Sequence, residues 1–584
     1  MKKVFALILC VAMAPFALTS CSGNSQATTT PSVNPTATAA ASTDTPAATP
    51  DTTPITLTVY TSDTAASDFS KTTVYKALQD QLGITLNFVT GDVQKLTVLA
   101  AGNSLPDIVN MVDDKGTEGK AMIAAKQVIP LDDLLASNGQ NILNRAQAGI
   151  NFMKQQSGDG KCYFLVTGTT VADTSNPFYN TGGSSFMTRY DLYQNTGSPK
   201  MSNEDDYLNM LKAMVDKYPT APGGNKAYGL SAWTDWGLWP FTIMYPYMYG
   251  YTTFINNQFI APDYSITSSF LDTNSIFWQG IKFFFKANQL GVLDPECLTQ
   301  GWDQYAAKIA DGELYSQCSD WNGADLTVNG PNAGFYLLPG AFPAAQNVYP
   351  SENTLGYLFG RCNGISSSCK YPARAMDLLN FLNSDDGNRL VNSGVKGTDW
   401  DVVNGVPQLI GQMASGDATY ATTAGPFDYM QWLTTGTWTA ADGYPTDLHK
   451  TAQAYMNRLA KDVPAQNFVK AYAGTDTSIQ YPGQVYDSWV KTSTLSSAFN
   501  FPNFTAYMPA MPDNTATVES QASDYMLQNL PSVIFATDQA AYDAAQASIV
   551  SALKGMGLEA AEKPIFDGYN QIKDQAIAAM NSGN

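Results

Sequence analysis

The sequence predicts an α/β protein built in more than one lobe. Two observations lead to this reading. The stretch Ile55 to Val109 alternates strand and helix periods in the order strand, helix, strand, helix, strand. The body from about Pro54 onward is too long for one simple core. A composition of 44% hydrophobic and 12% aromatic residues is that of a globular protein.

Each element has a local reason. Ile55, Leu57 and Val59 alternate with Thr56 and Thr58, the period of a strand. Val74, Ala77, Leu78 and Leu82 lie three and four apart, a helix face, and Gly83 stands where a helix C-terminal glycine belongs. Ile84, Leu86 and Phe88 form the next strand, Val93, Leu96 and Ala100 a second helix, and Ile108-Val109 a third strand. Such an order gives a mostly parallel sheet, whose ligands bind outside the carboxyl ends of the strands. Tyr60-Thr61-Ser62-Asp63 follows the first strand, so Tyr60 and Asp63 are candidate ligand residues.

The N-terminus reads as an address. Lys2 and Lys3 precede an apolar run, Val4 to Leu18, that is too short to span a membrane. It ends in Leu18-Thr19-Ser20-Cys21, which resembles a bacterial lipobox. That resemblance implies a signal peptide over 1–20 and lipidation of Cys21. Several acyl chains on one residue give stable anchoring. Ser22 to Thr53 is rich in Ala, Thr, Ser and Pro and is expected to be a disordered tether, with an average span of about 30 Å. The chain is thus expected to meet the membrane through its lipid anchor only, on the extracellular face.

Composition also excludes. A net charge of −19 argues against nucleic acid as a partner, because phosphate binding needs a cationic face. One histidine, His449, rules out a zinc site built on several histidines and leaves a His-dependent triad a single candidate. No Walker loop, G-x-S-x-G or paired C-x-x-C occurs, and no cofactor is expected. With Cys10 in the leader and Cys21 lipidated, Cys162, Cys297, Cys318, Cys362 and Cys369 remain. Cys362 and Cys369 flank a Gly/Ser-rich loop and either pair or stay free.

Five segments occur in the order seen in one family. They are Gly102-Asn103-Ser104-Leu105-Pro106-Asp107-Ile108, Val128-Ile129-Pro130-Leu131-Asp132-Asp133-Leu134, Met187-Thr188-Arg189-Tyr190-Asp191-Leu192, Leu290-Gly291-Val292-Leu293-Asp294-Pro295-Glu296, and Met376 to Leu382 with Asp386-Gly387 and Arg389-Leu390-Val391. In this order they resemble the large extracellular solute-binding lipoproteins of carbohydrate ABC importers, over nearly the whole body. The resemblance implies a two-lobe periplasmic-binding-protein-like fold of type II, with hinge crossings near Ser184–Phe186 and Cys318–Trp321 and a return to the second lobe near Asn383. The lobes would be 54–184 plus 320–383 and 185–319 plus 384–584. It further implies a carbohydrate ligand in the cleft, ABC transporter permease subunits as partners, a monomer and no enzymatic activity. Related proteins often carry a calcium loop where this chain has Tyr218 to Lys226. No carboxylate occurs there, so no metal is expected at that loop.

The richest ligand signal is Ala232 to Phe254, with nine aromatic residues in 23 positions. Trp233, Trp236 and Trp239 are three apart and would form one stripe on a helix. Sugar rings stack an apolar face on indole, and Asp235 is suited to accept from hydroxyls. Packing is the competing role for each of these side chains, as it usually is for an aromatic stripe. Asp320 and Trp321 at the second crossing, and Trp400, are further candidates. For Trp400, Trp432 and Trp438 packing fits at least as well. Ser202 is expected to cap the helix that begins at Glu204, with Asp205 closing a capping box. A secreted glycoside hydrolase, with two carboxylates about 5 to 10 Å apart, and a sugar-sensing lipoprotein are the alternative readings.

Overall fold

The structure is a computed structural model that describes residues 51–62, 69–113, 117–167, 186–255, 258–318, 333–342, 360–415, 420–421, 424–425, 433–490, 504–509 and 511–581. Its first lobe is organised by a five-stranded sheet. The strand order is Ile84–Thr90, Ile55–Thr61, Ile108–Asp113, Gly360–Ile365 and Phe164–Val166. The first three strands are parallel, with Ile55 opposite Ile84 and Val59 opposite Ile108. The last two run antiparallel to their neighbours.

The alternation read from the sequence is the alternation of burial. Leu57 and Val59 are buried in the core with Val74, Leu78, Ile84 and Ile108. The helix Thr73–Leu82 starts at Thr72, whose hydroxyl accepts from the Tyr75 amide, and ends at Gly83 with φ of 66°. The Leu105-Pro106-Asp107 turn is lashed to the first strand. Thr58 donates its amide and hydroxyl to Asp107 Oδ2 at 2.8 and 2.7 Å, and the Asp107 amide donates back to Thr58 Oγ1 at 2.9 Å.

The second lobe has a small antiparallel sheet of Phe335–Tyr336, Met187–Arg189 and Ser316–Gln317, surrounded by helices. Its core gathers Tyr207, Leu211, Trp278, Phe283 and Phe284 with Met526 and Leu530 from the long helix Asp513–Ile534. Tyr207 bridges two strands of that sheet, its hydroxyl lying 2.8 Å from Thr188 Oγ1 and 2.7 Å from Ser316 Oγ. Arg189 is paired bidentately with Asp191.

The cores divide the chain differently from the boundaries expected above. Leu337, Leu338 and Phe342 pack in the second core, whereas the expected boundaries place 320–383 in the first lobe. Leu390, Val391 and Leu433 pack in the first core, so the return lies well beyond Asn383. The helices Pro372–Leu382 and Asp385–Ser393 are both part of the first lobe. Asn383 is the joint between them, and its side-chain oxygen accepts from the Thr435 amide and hydroxyl. Residues 184–185 and 319–321 of the expected crossings lie outside the described residues.

Two local expectations also shift. The cap of helix Glu204–Lys217 is Asn203, whose side chain accepts from the Asp206 amide. Ser202 instead donates to Asp206 Oδ2 from both its amide and its hydroxyl. Asn and Ser cap equally well, and helix phase decided between them. None of the described cysteines, Cys362 and Cys369 included, is joined in a disulfide.

Gly387 tests the helix pair. A Cβ there would lie 2.0 Å from the Phe381 carbonyl oxygen, a backbone atom that cannot swing away. Gly387→Ala is expected to destabilise the first lobe by about 1–3 kcal/mol. Gly223→Ala, which meets open space, is expected to stay within about 0.5 kcal/mol of the parent in the same thermal unfolding measurement.

Candidate functional site

The aromatic segment is set in place by a buried carboxylate. Asp294 accepts from Ser231 Oγ at 2.7 Å, Lys308 Nζ at 2.7 Å and Gln300 Nε2 at 3.3 Å. Gln300 also donates to the Ala232 carbonyl at 2.6 Å, and its own carbonyl accepts from the Thr234 amide at 3.0 Å. The chain at 231–234 is therefore clamped against 300–302. Asp235 then accepts from the Trp302 amide with both oxygens, at 3.0 and 3.1 Å, at the start of helix Trp302–Ala310. Gly301 at that helix's N-cap has no side chain to cap with, and Asp235 supplies the missing acceptor.

The result is a nest of indoles. Trp233 is fully buried, with ring centroids 5.3 Å from Trp236, 5.7 Å from Trp239, 5.0 Å from Trp302 and 4.5 Å from Tyr305. Its indole N–H reaches no acceptor. The expected helical stripe is a different geometry. Trp233 and Trp236 precede the helix Trp239–Met248, and a turn at Gly237, with φ of 63°, brings the three together. Trp236 lies at 21° to Trp302 with centroids 5.0 Å apart, a stacked pair. Trp236 is 40% exposed, the one exposed tryptophan among the described residues. Trp302 stacks on it, Trp233 and Trp239 meet it edge to face, and the rest of its surface is open.

The other aromatics of the run turn inward. Tyr245 and Tyr247 are buried. Tyr245 and Tyr249 both donate to Glu204 Oε2, at 2.6 and 3.0 Å, and Lys286 neutralises the same carboxylate at 2.8 Å. Burial, then the Glu204 bond, pushes the Tyr245 phenol far above its usual range.

In the first lobe, Tyr60 sits in the packed core. It is buried, and its hydroxyl donates to the carbonyls of Gly91 and Asp92 at 2.9 and 2.7 Å. Burial, with the Asp92 charge adding, pushes the phenol up to about 12. The strand ends carry instead a buried polar row that sequence reading missed. Thr61 Oγ1 donates to Asn110 Oδ1 at 3.2 Å, and Asn110 Nδ2 donates to Asn363 Oδ1 at 2.7 Å. The three residues stand side by side in register on adjacent strands.

Trp400 also belongs to packing. It is buried with Leu409, Met413 and Leu448, donates its N–H to the Gly394 carbonyl at 3.0 Å and lies near Arg389 and Lys396. Trp438 donates to Asp385. His449 is engaged with Asp447 at 3.3 Å. Asp63, Asp320, Trp321 and Trp432 lie outside the described residues, as does Cys21. Trp302 was missed because nothing near it in sequence marks it. Among the described residues no three His, Cys, Asp or Glu side chains gather as a metal centre, and no helix is long and apolar enough to cross a membrane.

No family model matches. Lipoprotein LipO of Bacillus subtilis is 22% identical over 331 residues, 53% of this chain and 60% of its own. The fructooligosaccharide ABC transporter substrate-binding protein FusA of Streptococcus pneumoniae is 20% identical over 291 residues, 49% of this chain and 52% of its own. The chain thus spans between half and two thirds of the curated relatives it matches. Solved structures align over more of it. A FusA EF-hand mutant in complex with fructo-nystose has a TM-score of 0.60 at 16% identity, covering 89% of this chain and 100% of that one. An HMO-binding, ABC-transporter-associated solute-binding protein of Bifidobacterium longum infantis has a TM-score of 0.57 at 16% identity, covering 88% and 99%. The alginate-binding protein AlgQ2 has a TM-score of 0.57 at 15% identity, covering 88% and 98%. The fold is that of two-lobe extracellular solute-binding proteins.

The nest separates two kinds of tryptophan. Trp233→Ala is expected to cost about 3–5 kcal/mol of stability, as for a core indole. Trp236→Ala is expected to cost much less, and Asp235→Ala about 1 kcal/mol for the lost helix cap. Chemical denaturation of the three variants against the parent checks this order.

Proposed function

We propose that this chain is a lipid-anchored extracellular solute-binding protein that captures an oligosaccharide between its lobes and delivers it to the permease of an ABC importer. The observation that carries the reading is the open face of Trp236, stacked on Trp302 and seated on Trp233. An indole plane supported from behind offers a rigid, apolar surface that sugar rings cover at little entropic cost. The fold supports it, because a homologue and solved neighbours with this fold are named as binders of fructooligosaccharide, fructo-nystose, kestose and HMO.

In this reading Trp236 and Trp302 form the platform on the second lobe. Trp239 borders it, Trp233 supports it, and Asp235 positions Trp302 rather than binding hydroxyls. The row Thr61, Asn110 and Asn363 sits under the opposing strand ends of the first lobe. Asp320 and Trp321 at the second crossing, and Asp63 after the first strand, complete the proposed cleft. The protein acts as a monomer and turns over no substrate. Cys21 carries the lipid, and the tether from Ser22 to Thr53 gives the body reach from the membrane.

A thermal-shift screen over defined oligosaccharides identifies the ligand class. Trp236→Ala is expected to lower affinity for the stabilising sugar at least tenfold, equivalent to about 1.4 kcal/mol, while the apo melting temperature changes little. Unchanged affinity in calorimetry would remove Trp236 from the site. Release of free sugar during the same incubations would favour a hydrolase. Cys21→Ser is expected to move the protein from the membrane fraction to the medium with sugar binding intact.

A further inference from the structure

The charges around the aromatic nest are one-sided. The Asp235 carboxylate is tied to both stacked indoles. It directly precedes Trp236 in the chain, and both its oxygens accept from the Trp302 amide, at 3.0 and 3.1 Å. Asp235 is itself exposed. Asp303, also exposed, follows Trp302 in the first turn of the same helix. Lys308, the one cation of that helix, is committed to the buried hub, at 2.7 Å from both Asp294 and Glu296. One lysine against two carboxylates leaves the hub negative as well. The arginines and lysines that lie over indole rings do so elsewhere. Arg145 lies over Trp438 at 4.6 Å, and Arg389 and Lys396 lie over Trp400 at 5.0 and 5.4 Å.

The N-terminus of helix Trp302–Ala310 offsets part of this negative charge, by about half an elementary charge. It cannot offset the whole, because Asp235 caps it and Asp303 adds a second carboxylate within its first turn. The open surface of Trp236 is thus an apolar plane in a negative field. A ring that covers it drives out water, and losing water strengthens every charge–charge interaction beside it. An uncharged ring loses nothing there, whereas an anionic ring is repelled. Resting on the reading that this platform holds a sugar, we infer that it selects an uncharged ring, and that Asp235 and Asp303 exclude uronates and other acidic sugars from it.

The selection acts at one subsite. Stacking alone cannot make it, since an indole covers the apolar face of a neutral ring and of an acidic one alike. A like charge beside the platform can, because specificity is gained as much by repelling the wrong ligand as by holding the right one. The first lobe has a different balance, with Arg361 on the strand Gly360–Ile365 and Lys95 on the helix Val93–Ala101, whose cap is Asp92. Parts of an oligosaccharide that reach that lobe meet cations as well as carboxylates. The ring over Trp236 meets carboxylates. A ligand in which every ring is a uronate is therefore the sharpest probe, since whichever ring lands on Trp236 carries a negative charge.

Calorimetry on the full chain tests this with three probes. They are the neutral oligosaccharide that stabilises most in the thermal-shift screen, and oligogalacturonate and alginate oligomers of the same length. At low salt the neutral sugar is expected to bind about tenfold tighter or more than either uronate. The ratio is expected to shrink in about 0.5 M NaCl, where surface charges are screened. It is also expected to shrink in Asp303→Asn and further in Asp235→Asn/Asp303→Asn. Asparagine keeps an oxygen for the Trp302 amide, and the ratio cancels any general loss of binding. A uronate that binds as tightly as the neutral sugar, or a ratio that neither salt nor substitution moves, would overturn the inference. Trp236→Ala separates this failure from that of the platform itself. If Trp236→Ala weakens a uronate that binds well, the platform stands and only the charge selection falls. If Trp236→Ala weakens no ligand, or no probe binds, the platform falls and the selection with it.

Discussion

The geometry of the aromatic site depends on one buried charge, the carboxylate of Asp294. Taking an ionised carboxylate out of water is tolerated only when it is paired and its lone pairs are filled. Lys308 supplies the opposite charge, and Ser231, Gln300 and the Glu296 amide fill the remaining acceptor positions. These partners come from separate stretches of chain, so satisfying one carboxylate fixes all of them relative to each other. The clamp between 231–234 and 300–302 follows, and with it the contact between Trp236 and Trp302. The indoles need no helix to form a stripe, because the polar hub beneath them sets their spacing.

The first lobe uses polar groups in the same way along its sheet. Asp107 and Thr58 exchange three hydrogen bonds that pin the turn before the third strand. Thr61, Asn110 and Asn363 form a row whose members satisfy each other beside the strand ends. In both lobes the buried polar atoms are tied to partners distant in sequence, which makes the site surfaces rigid.

Much of the fold was legible. The strands at 55, 84 and 108 and the helices between them follow from periods that act over two to four residues, and the Gly83 terminus follows from one backbone angle. The helix after Asn203 was legible too, although its cap was misplaced by one residue. Ser202 and Asn203 have the same capping chemistry, and only the direction of the first turn distinguishes them. The lobe boundaries were less legible. Nothing in the composition of 333–342 or 385–395 marks which core their apolar side chains join, because either core would bury them equally well.

For the site, sequence alone determined that an aromatic-rich segment with an embedded carboxylate exists. It also determined the absence of histidine clusters and of strong cationic character, since those are properties of composition. Tertiary structure decided which residues carry the surface. Tyr60 and Trp400 became packing residues, Asp235 became a helix cap, and Trp302 entered the stack from a distant segment. Trp233 and Trp236 are the same residue type three positions apart, yet one is fully buried and the other open. Exposure is what remains after every other surface has been covered, so no local pattern could have separated them.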